Sequence, residues 1–395
     1  MNEFALEKVN AMPRTSVIAG QMNQKAILEL LFEKGPLSKA DISRMLHLSF
    51  PAVSRNVEAL LRNRLIYEAG MADNALGRKA TLLAFNAQKG YLIGIDIGRK
   101  NLRAMCADIS GEIIVYEKQR IETENVVRQI IGLVYSVAAS AQIQISDVVC
   151  MGVGIPGIYD PETDTHRLIP YAEAWSRQSL MRQLKEEFAM DIFMENSVNL
   201  GAVGERWKGV AKGYDHISYV DVGVGIGSAA IIDGNLLRGK NSAFGEIGYM
   251  VLEKEALSFA FSDAGALERL IPSEQIGKAI AALAERQEAS SMQAVLNRLE
   301  KEGNPYAKSI PTYFAMALVN TIAVINPEIL VISGKLGCAL YKEFAPDIDR
   351  LVLGNILFPP RIVLTELAEK ANVLGAIALA MIHSGKGFRS FTEFT

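Results

Sequence analysis

Residues 216–239 read HISYVDVGVGIGSAAIIDGNLLRG. An apolar run closing on Val222 and another opening at Ile226 flank a turn with Gly223, Gly225 and Gly227, which predicts a β-hairpin. Just before it, DIFMEN (191–196) reads as a strand and VNLGAVGERWKG (198–209) as a helix. Further back, YLIGIDIG (91–98), LRAMCADIS (102–110) and EIIVYEKQRI (112–121) read as three strands, with turns at 99–101 and 110–111. A helix over 124–142 and a buried strand, VVCMGVGIPG (148–157), follow. Beyond the hairpin the chain is largely helical until PEILVISGKLG (327–337), then RIVLTEL (361–367) and a final helix, NVLGAIALAMIH (372–383). Three antiparallel strands crossed by helices, given twice, predict an α/β body of two related lobes.

The first ninety residues follow another pattern. After an arm of about twenty residues, Ile27, Leu28, Leu30 and Leu31 mark a helix over 23–34, closed by Gly35-Pro36. Ser38 is placed to cap a second helix, with Ala40, Ile42, Met45 and Leu46 facing inward. A third helix, FPAVSRNVEALLRNRL (50–65), has Ser49 as its cap and Pro51 in its first turn. Val53, Val57, Leu60 and Leu61 are expected inside; Ser54, Arg55 and Asn56 are expected outside. LIYEAG and TLLAFN then form two short strands around a loop ending in Gly77-Arg78-Lys79. Helix, helix, turn, helix and two-stranded wing is the order of a winged helix-turn-helix. Short polar and basic residues at the start of its third helix reach base edges and phosphates, and Arg78 and Lys79 at a wing tip suit the minor groove. His47, between two leucines, is expected to be a surface or structural histidine.

Length and composition agree. A chain of 395 residues suggests two or three domains, and 50% hydrophobic with 22% charged residues excludes a disordered chain. Cys106, Cys150 and Cys338 lie far apart without a CxxC pair, which excludes a disulfide scaffold or zinc finger and fits a reducing cytoplasm. The first ten residues, MNEFALEKVN, do not read as a secretory leader. The apolar stretch 311–333 is interrupted by Asn320, Asn326 and Pro327 and reads as a buried helix and strand, not a membrane span. Residues 1–89 carry 12 basic against 8 acidic side chains while the whole chain has a net charge of -3, consistent with nucleic-acid contact by one end. The expected product is soluble and cytoplasmic.

Several segments together carry a resemblance: IGIDIGRKNLRAMCADISGEII (93–114), GVGIPGIYD (152–160), ENSVNLGAVGE (195–205), residues 220–250, GALE (265–268) and NPEILVISGKLG (326–337). In that order over roughly 90–378 they resemble the ROK family of repressors and sugar kinases, and the winged helix in front resembles its xylose-repressor and N-acetylglucosamine-repressor type. The resemblance implies a two-lobed actin/hexokinase-like α/β ATPase fold preceded by an N-terminal winged helix-turn-helix domain. The boundaries drawn are an arm over 1–20, the winged helix over 21–88, a first lobe over 89–200 and a second over 201–371. The final helix, about 372–384, is expected to pack back on the first lobe.

Against the family's kinases the sequence departs at the chemistry. Their base is the Asp of an Asn-Asp-Ala-Asn run; here the run is Asn196-Ser197-Val198-Asn199. A serine hydroxyl has no useful basicity near neutral pH. Asp96 and Gly98 keep the start of a first phosphate loop, but Arg99-Lys100 replace Gly-Thr, and Val224 replaces a threonine among Gly223, Gly225 and Gly227. These glycines read as a tight hairpin needing close backbone approach. The family's zinc-ligand positions are occupied by Tyr249, Phe259, Phe261 and Ala266, so no metal or other cofactor is expected, and apolar packing is expected to staple that loop. The carboxylates that meet sugar hydroxyls in the family correspond to Glu246 and Glu268, with Asn196 beside the lost base and Tyr249 as an altered wall. Both glutamates are alternatively capping or salt-bridging residues of a degenerate cleft. In the sugar loop (169–175), Pro170 and Trp175 are kept and Tyr171 replaces an Asn.

The expectation is a repressor of carbohydrate genes that binds operator DNA as a homodimer or dimer of dimers, under control of a sugar or sugar phosphate. The alternatives are a sugar kinase with an added DNA-binding domain and a regulator controlled by a protein partner.

Overall fold

The computed structural model describes residues 13–73, 79–122, 126–160, 163, 165–167, 180–258, 264–285 and 291–383. They fall into two compact units, one built on residues up to Tyr91 and one from Leu92 onward.

The first unit contains α1 (Pro13–Lys34), β1 (Leu37–Ser38), α2 (Lys39–Leu46), α3 (Phe50–Arg62), β2 (Ile66–Asp73) and β3 (Lys79–Phe85). The strands pair in the order β1-β3-β2, with Leu37 opposite Leu83 and Ile66 opposite Phe85. Ile27, Leu31, Ile42, Val53, Val57, Leu60, Ile66 and Leu83 are almost fully buried and form its core. Three expectations need correction. The helix begins at Pro13, so residues 13–20 belong to α1 and not to an arm; proline suits a helix start because its missing N–H has no partner there anyway. Ala40 and Met45 are exposed, because a helix of 8 residues shows the core only the stripe centred on Ile42. Leu37-Ser38 adds a third strand to the wing sheet.

The second unit holds two five-stranded sheets. The first joins β4 (Tyr91–Ile97), β5 (Asn101–Asp108), β6 (Ile113–Arg120), β7 (Val148–Ile155) and, after the small hairpin β8 (Ile158–Asp160) and β9 (Thr165–Arg167), β10 (Asp191–Asn196). Its helices are α4 (Val126–Ser140), α5 (Leu180–Glu187) and α6 (Ser197–Lys208). The second sheet joins β11 (Ile217–Val222), β12 (Ile226–Ile232), β13 (Asn235–Leu236), β14 (Ile329–Ser333) and β15 (Arg361–Leu364). With it come α7 (Ala266–Leu270), α8 (Ser273–Glu285), α9 (Met292–Lys301), α10 (Ile310–Ile325) and α11 (Lys335–Asn355), and α12 (Ala371–His383) ends the fold. Spatial orders are β10-β7-β4-β5-β6 and β13-β12-β11-β14-β15. Numbered along the chain within each sheet, the first reads fifth, fourth, first, second, third, and the second reads the same from its β15 end, so the lobes share one topology. The expected antiparallel triplets are there, and parallel strands extend each sheet: β10 beside β7, and β14 and β15 beyond β11.

Helix α12 lies on α6 and β7, and glycines permit the approach. A Cβ on Gly375 would stand 1.9 Å from the Leu200 carbonyl oxygen, and one on Gly152 would stand 2.0 Å from that of Ala376. The apolar helix α10 places Phe314, Leu318 and Ile322 in the core of the second lobe. Among the described residues only Ala307–Ile325 is long and apolar enough to cross a membrane, and its core packing accounts for that apolarity.

Candidate DNA interface and effector cleft

In the first unit, α2 is fastened at its start: the Asp41 N–H donates to Ser38 Oγ at 3.2 Å. The turn into α3 is fixed by the Ser43 hydroxyl, which donates to the Leu48 carbonyl at 2.6 Å. His47 closes α2 in the left-handed region, with φ 52°, and is exposed. Ser49 occupies the N-cap position of α3 without a side-chain cap bond and is exposed. Pro51 and Arg55 are exposed and Ser54 is half-buried. Asn56 is corrected: it is 8% exposed, and its amide donates to the Ala52 carbonyl at 2.9 Å, so it braces the helix from within. The helical period puts position 56 beside Val53 and Val57. Phe50, which sequence reading passed over, is 53% exposed at the start of the same face; an aromatic directly after the capping serine was the available signal. Lys79 is exposed where β3 begins, opposite Asp73, and Arg78 lies outside the described residues.

In the second unit, the hairpin, the Glu246 turn and α7 converge. The Ser228 N–H donates to the Gly245 carbonyl at 2.7 Å. Gly245 has φ +88°, and a Cβ there would stand 1.8 Å from the Ser228 carbonyl oxygen, so the approach requires glycine. Glu246 then starts a single 3-10 turn over Ile247–Tyr249. Across from it, Glu268 sits in the first turn of α7; its Oε1 accepts from the Ile226 N–H at 2.9 Å and its Oε2 from the Gly265 N–H at 3.0 Å. The two glutamates differ in kind. Glu268 already holds two backbone segments together, whereas no hydrogen bond to the Glu246 carboxylate exists among the described residues. Burial, and then the neighbouring Glu268 charge, push the Glu246 carboxyl above its ordinary range. A half-buried carboxylate without a donor among the described residues suits hydroxyl groups arriving from outside.

Asn196 caps α6: its Oδ1 accepts from the N–H groups of Val198 at 2.7 Å and Asn199 at 3.3 Å, and its Nδ2 donates to the Gly157 carbonyl at 2.8 Å. Its amide therefore fixes the start of α6 and ties it to the Gly157 carbonyl. The Ser197 hydroxyl donates to Asp96 Oδ1 at 2.9 Å. Asp96 is 1% exposed, and burial raises its carboxyl pKa against the opposing pull of Arg103. Asp221, on β11, is pushed up to about 6, mainly by burial and further by Asp96, while the Ser333 hydroxyl acts the other way. Two of the hairpin glycines have steric reasons: a Cβ on Gly225 would meet Glu268 Oε1 at 3.0 Å and one on Gly227 would meet Val198 at 3.2 Å, while the Gly223 N–H donates to the Gly225 carbonyl at 3.0 Å. Gly98 lies under the Arg103 guanidinium. Arg103 was missed in the sequence; its signal was a lone cation inside the apolar run LRAMCA.

The loop where zinc ligands stand in the resembling family does not suit that metal. Tyr249 is half-buried and Ala266 opens α7, which supplies a phenol and a methyl group where thiolate or imidazole is required. Among the described residues no three His, Cys, Asp or Glu side chains gather as a metal site. Phe259, Phe261 and the loop 169–175 lie outside the described residues.

The ROK family model matches residues 92–382, and a winged helix-turn-helix DNA-binding model matches residues 23–67. The xylose repressor of Bacillus subtilis (strain 168) is 26% identical over 372 residues, covering 92% of this chain and 96% of that protein. The glucokinase of Thermotoga maritima is also 26% identical, over 73% of this chain and 96% of its own length. Among solved structures, a ROK family transcriptional regulator described as a homologue of the E. coli MLC protein covers 94% of this chain and 98% of its own, with a TM-score of 0.71 at 20% identity.

Proposed function

The chain belongs to the ROK family, and we propose that it is a transcriptional repressor whose grip on operator DNA is set by a small sugar or sugar phosphate. The observation that carries this reading is the pairing, in one chain, of a recognition face with Ser49, Pro51 and Arg55 exposed and Ser54 half-buried, and a ROK body whose base position is a serine. The Ser197 hydroxyl donates to the buried Asp96 carboxylate, and a serine oxygen has no useful basicity near neutral pH, so it does not replace the aspartate that takes the sugar proton in the kinases. Binding without turnover is what that body retains. The effector sits against Glu246, with Tyr249 as a wall and with Asn196 and Glu268 holding the backbone around it. The protein acts in the cytoplasm as a homodimer or dimer of dimers on paired half-sites, without a metal or other cofactor.

The test is fluorescence anisotropy of full-length protein on an operator selected from random duplexes, with and without a sugar panel that begins with xylose, the sugar in its Bacillus relative's name. A shift in operator affinity with one panel member supports the reading; DNA binding that no sugar alters transfers control to a protein partner. Turnover of ATP with any sugar in a coupled assay would make the body a kinase.

A further inference from the structure

Arg103 rises from β5 into the first phosphate loop. Its Nη1 lies 2.9 Å from Asp96 Oδ2, and its Nη2 lies 3.3 Å from Glu369 Oε2. The guanidinium sits over Gly98, where a Cβ would stand 2.8 Å from Nη1. Beyond Glu369, Lys118 Nζ approaches both carboxylate oxygens, at 2.8 and 2.6 Å. The other oxygen of Asp96 takes Ser197 Oγ at 2.9 Å and Asn372 Nδ2 at 3.4 Å. Both oxygens of this buried aspartate are therefore engaged by the chain itself. Glu369 belongs to the crossover that leaves β15 of the second sheet, and Asn372 to the first turn of α12, which packs on the first sheet. The same crossover is fastened to α6, where the Thr365 hydroxyl donates to the Glu205 carboxylate.

A buried carboxylate needs a counter-charge, and in a kinase of this fold a metal ion with its phosphates supplies charge there. Asp96, Arg103, Glu369 and Lys118 alternate in sign and cancel, which leaves that metal nothing to neutralise. We propose that Arg103 is a built-in counter-cation, filling the volume at Asp96 and over Gly98 that a nucleotide-bound metal needs and, through Glu369, clamping this loop to the crossover between the lobes. The first half rests on the correspondence of Asp96 and Gly98 with the family's phosphate loop; the clamp rests on the distances alone.

Two measurements on full-length protein test the proposal, and neither involves DNA or sugar, so its failure is distinct from failure of the repressor reading. Hydrogen exchange reads the clamp. In Glu369→Gln and Arg103→Lys, exchange at Ala368 and Lys370 should quicken about fivefold, with the rest of the second unit unchanged. No change at the crossover, or uniform quickening across the unit, overturns the clamp. Thermal melting in millimolar MgCl2, with and without ATP, reads the counter-cation. Wild type should show no shift, whereas Arg103→Met, which keeps the stem and removes the charge, should melt higher with Mg2+. A magnesium-dependent shift in wild type overturns the proposal, and so does a folded Arg103→Met that ignores Mg2+. Should Arg103→Met not fold, the wild-type measurement decides.

Discussion

At the scale of single residues, the two glutamates of the cleft were expected to act alike, and their hydrogen bonds separate them. Glu246→Ala removes a carboxylate that holds no hydrogen bond among the described residues, so operator affinity should stay within a few-fold while the response to the inducing sugar disappears, as read by anisotropy. Glu268→Ala instead strips partners from the Ile226 and Gly265 N–H groups, and should lower folding stability by about 1–3 kcal/mol in urea unfolding. Asp221 gives a pH signature. In the unfolded chain its carboxyl ionises near its ordinary value, about 4; in the fold it holds its proton until about 6. Between those values the folded state binds the extra proton, so raising the pH weakens folding, and the loss is complete above the folded value. Asp221→Asn should flatten the fall in Tm over that window; an unchanged pH profile would remove Asp221 as its source.

At the scale of elements, α3 divides its work between two faces. Arg55→Ala should cost about 1–3 kcal/mol of operator affinity and leave the melting temperature in place. Asn56→Ala should do the reverse, lowering Tm while operator affinity stays within twofold, because its amide serves the Ala52 carbonyl inside the domain. The seat of α12 is equally specific. Gly375→Ala would press a methyl group against the Leu200 carbonyl, and two backbones cannot move apart as cheaply as a side chain turns. The expected loss is about 3 kcal/mol in denaturant unfolding, at the upper end for overpacking. A loss well under that would mean that α12 slides on α6.

At the scale of the whole molecule, the proposed DNA face and the proposed effector site lie in separately compact units. A chain lacking residues 1–89 should fail to bind operator and still gain melting temperature from the sugar that releases the intact protein. An effector acts on DNA only through a difference in its affinity for two arrangements, typically about 1–3 kcal/mol. The intact protein should therefore bind that sugar more weakly, by the matching factor, when operator is saturating; calorimetry with and without the duplex checks this reciprocity.

The winged helix and the two-lobed body were legible because each depends on local signals. Apolar periodicity, the Ser38 cap, Pro51 at a helix start and the glycine hairpin at 223–227 act within a few residues of one another. Ser197 at the expected base position is likewise a reading of residue type alone, since a serine hydroxyl has no useful basicity near neutral pH. What escaped the sequence depends on contacts between distant segments. Asn56 looked outward by residue type, yet its neighbours Val53 and Val57 set its face. Glu246 and Glu268 are the same residue type, and only the approach of Ile226 and Gly265 shows which carboxylate is engaged. The shared topology of the two sheets appears only once β7, β10, β14 and β15 find their partners, because parallel pairing leaves no mark within one strand. Arg103 reaches Glu369 across 266 positions of chain. Local periodicity is written residue by residue, whereas the charge that neutralises Asp96 is chosen by which strands and helices come to lie beside it.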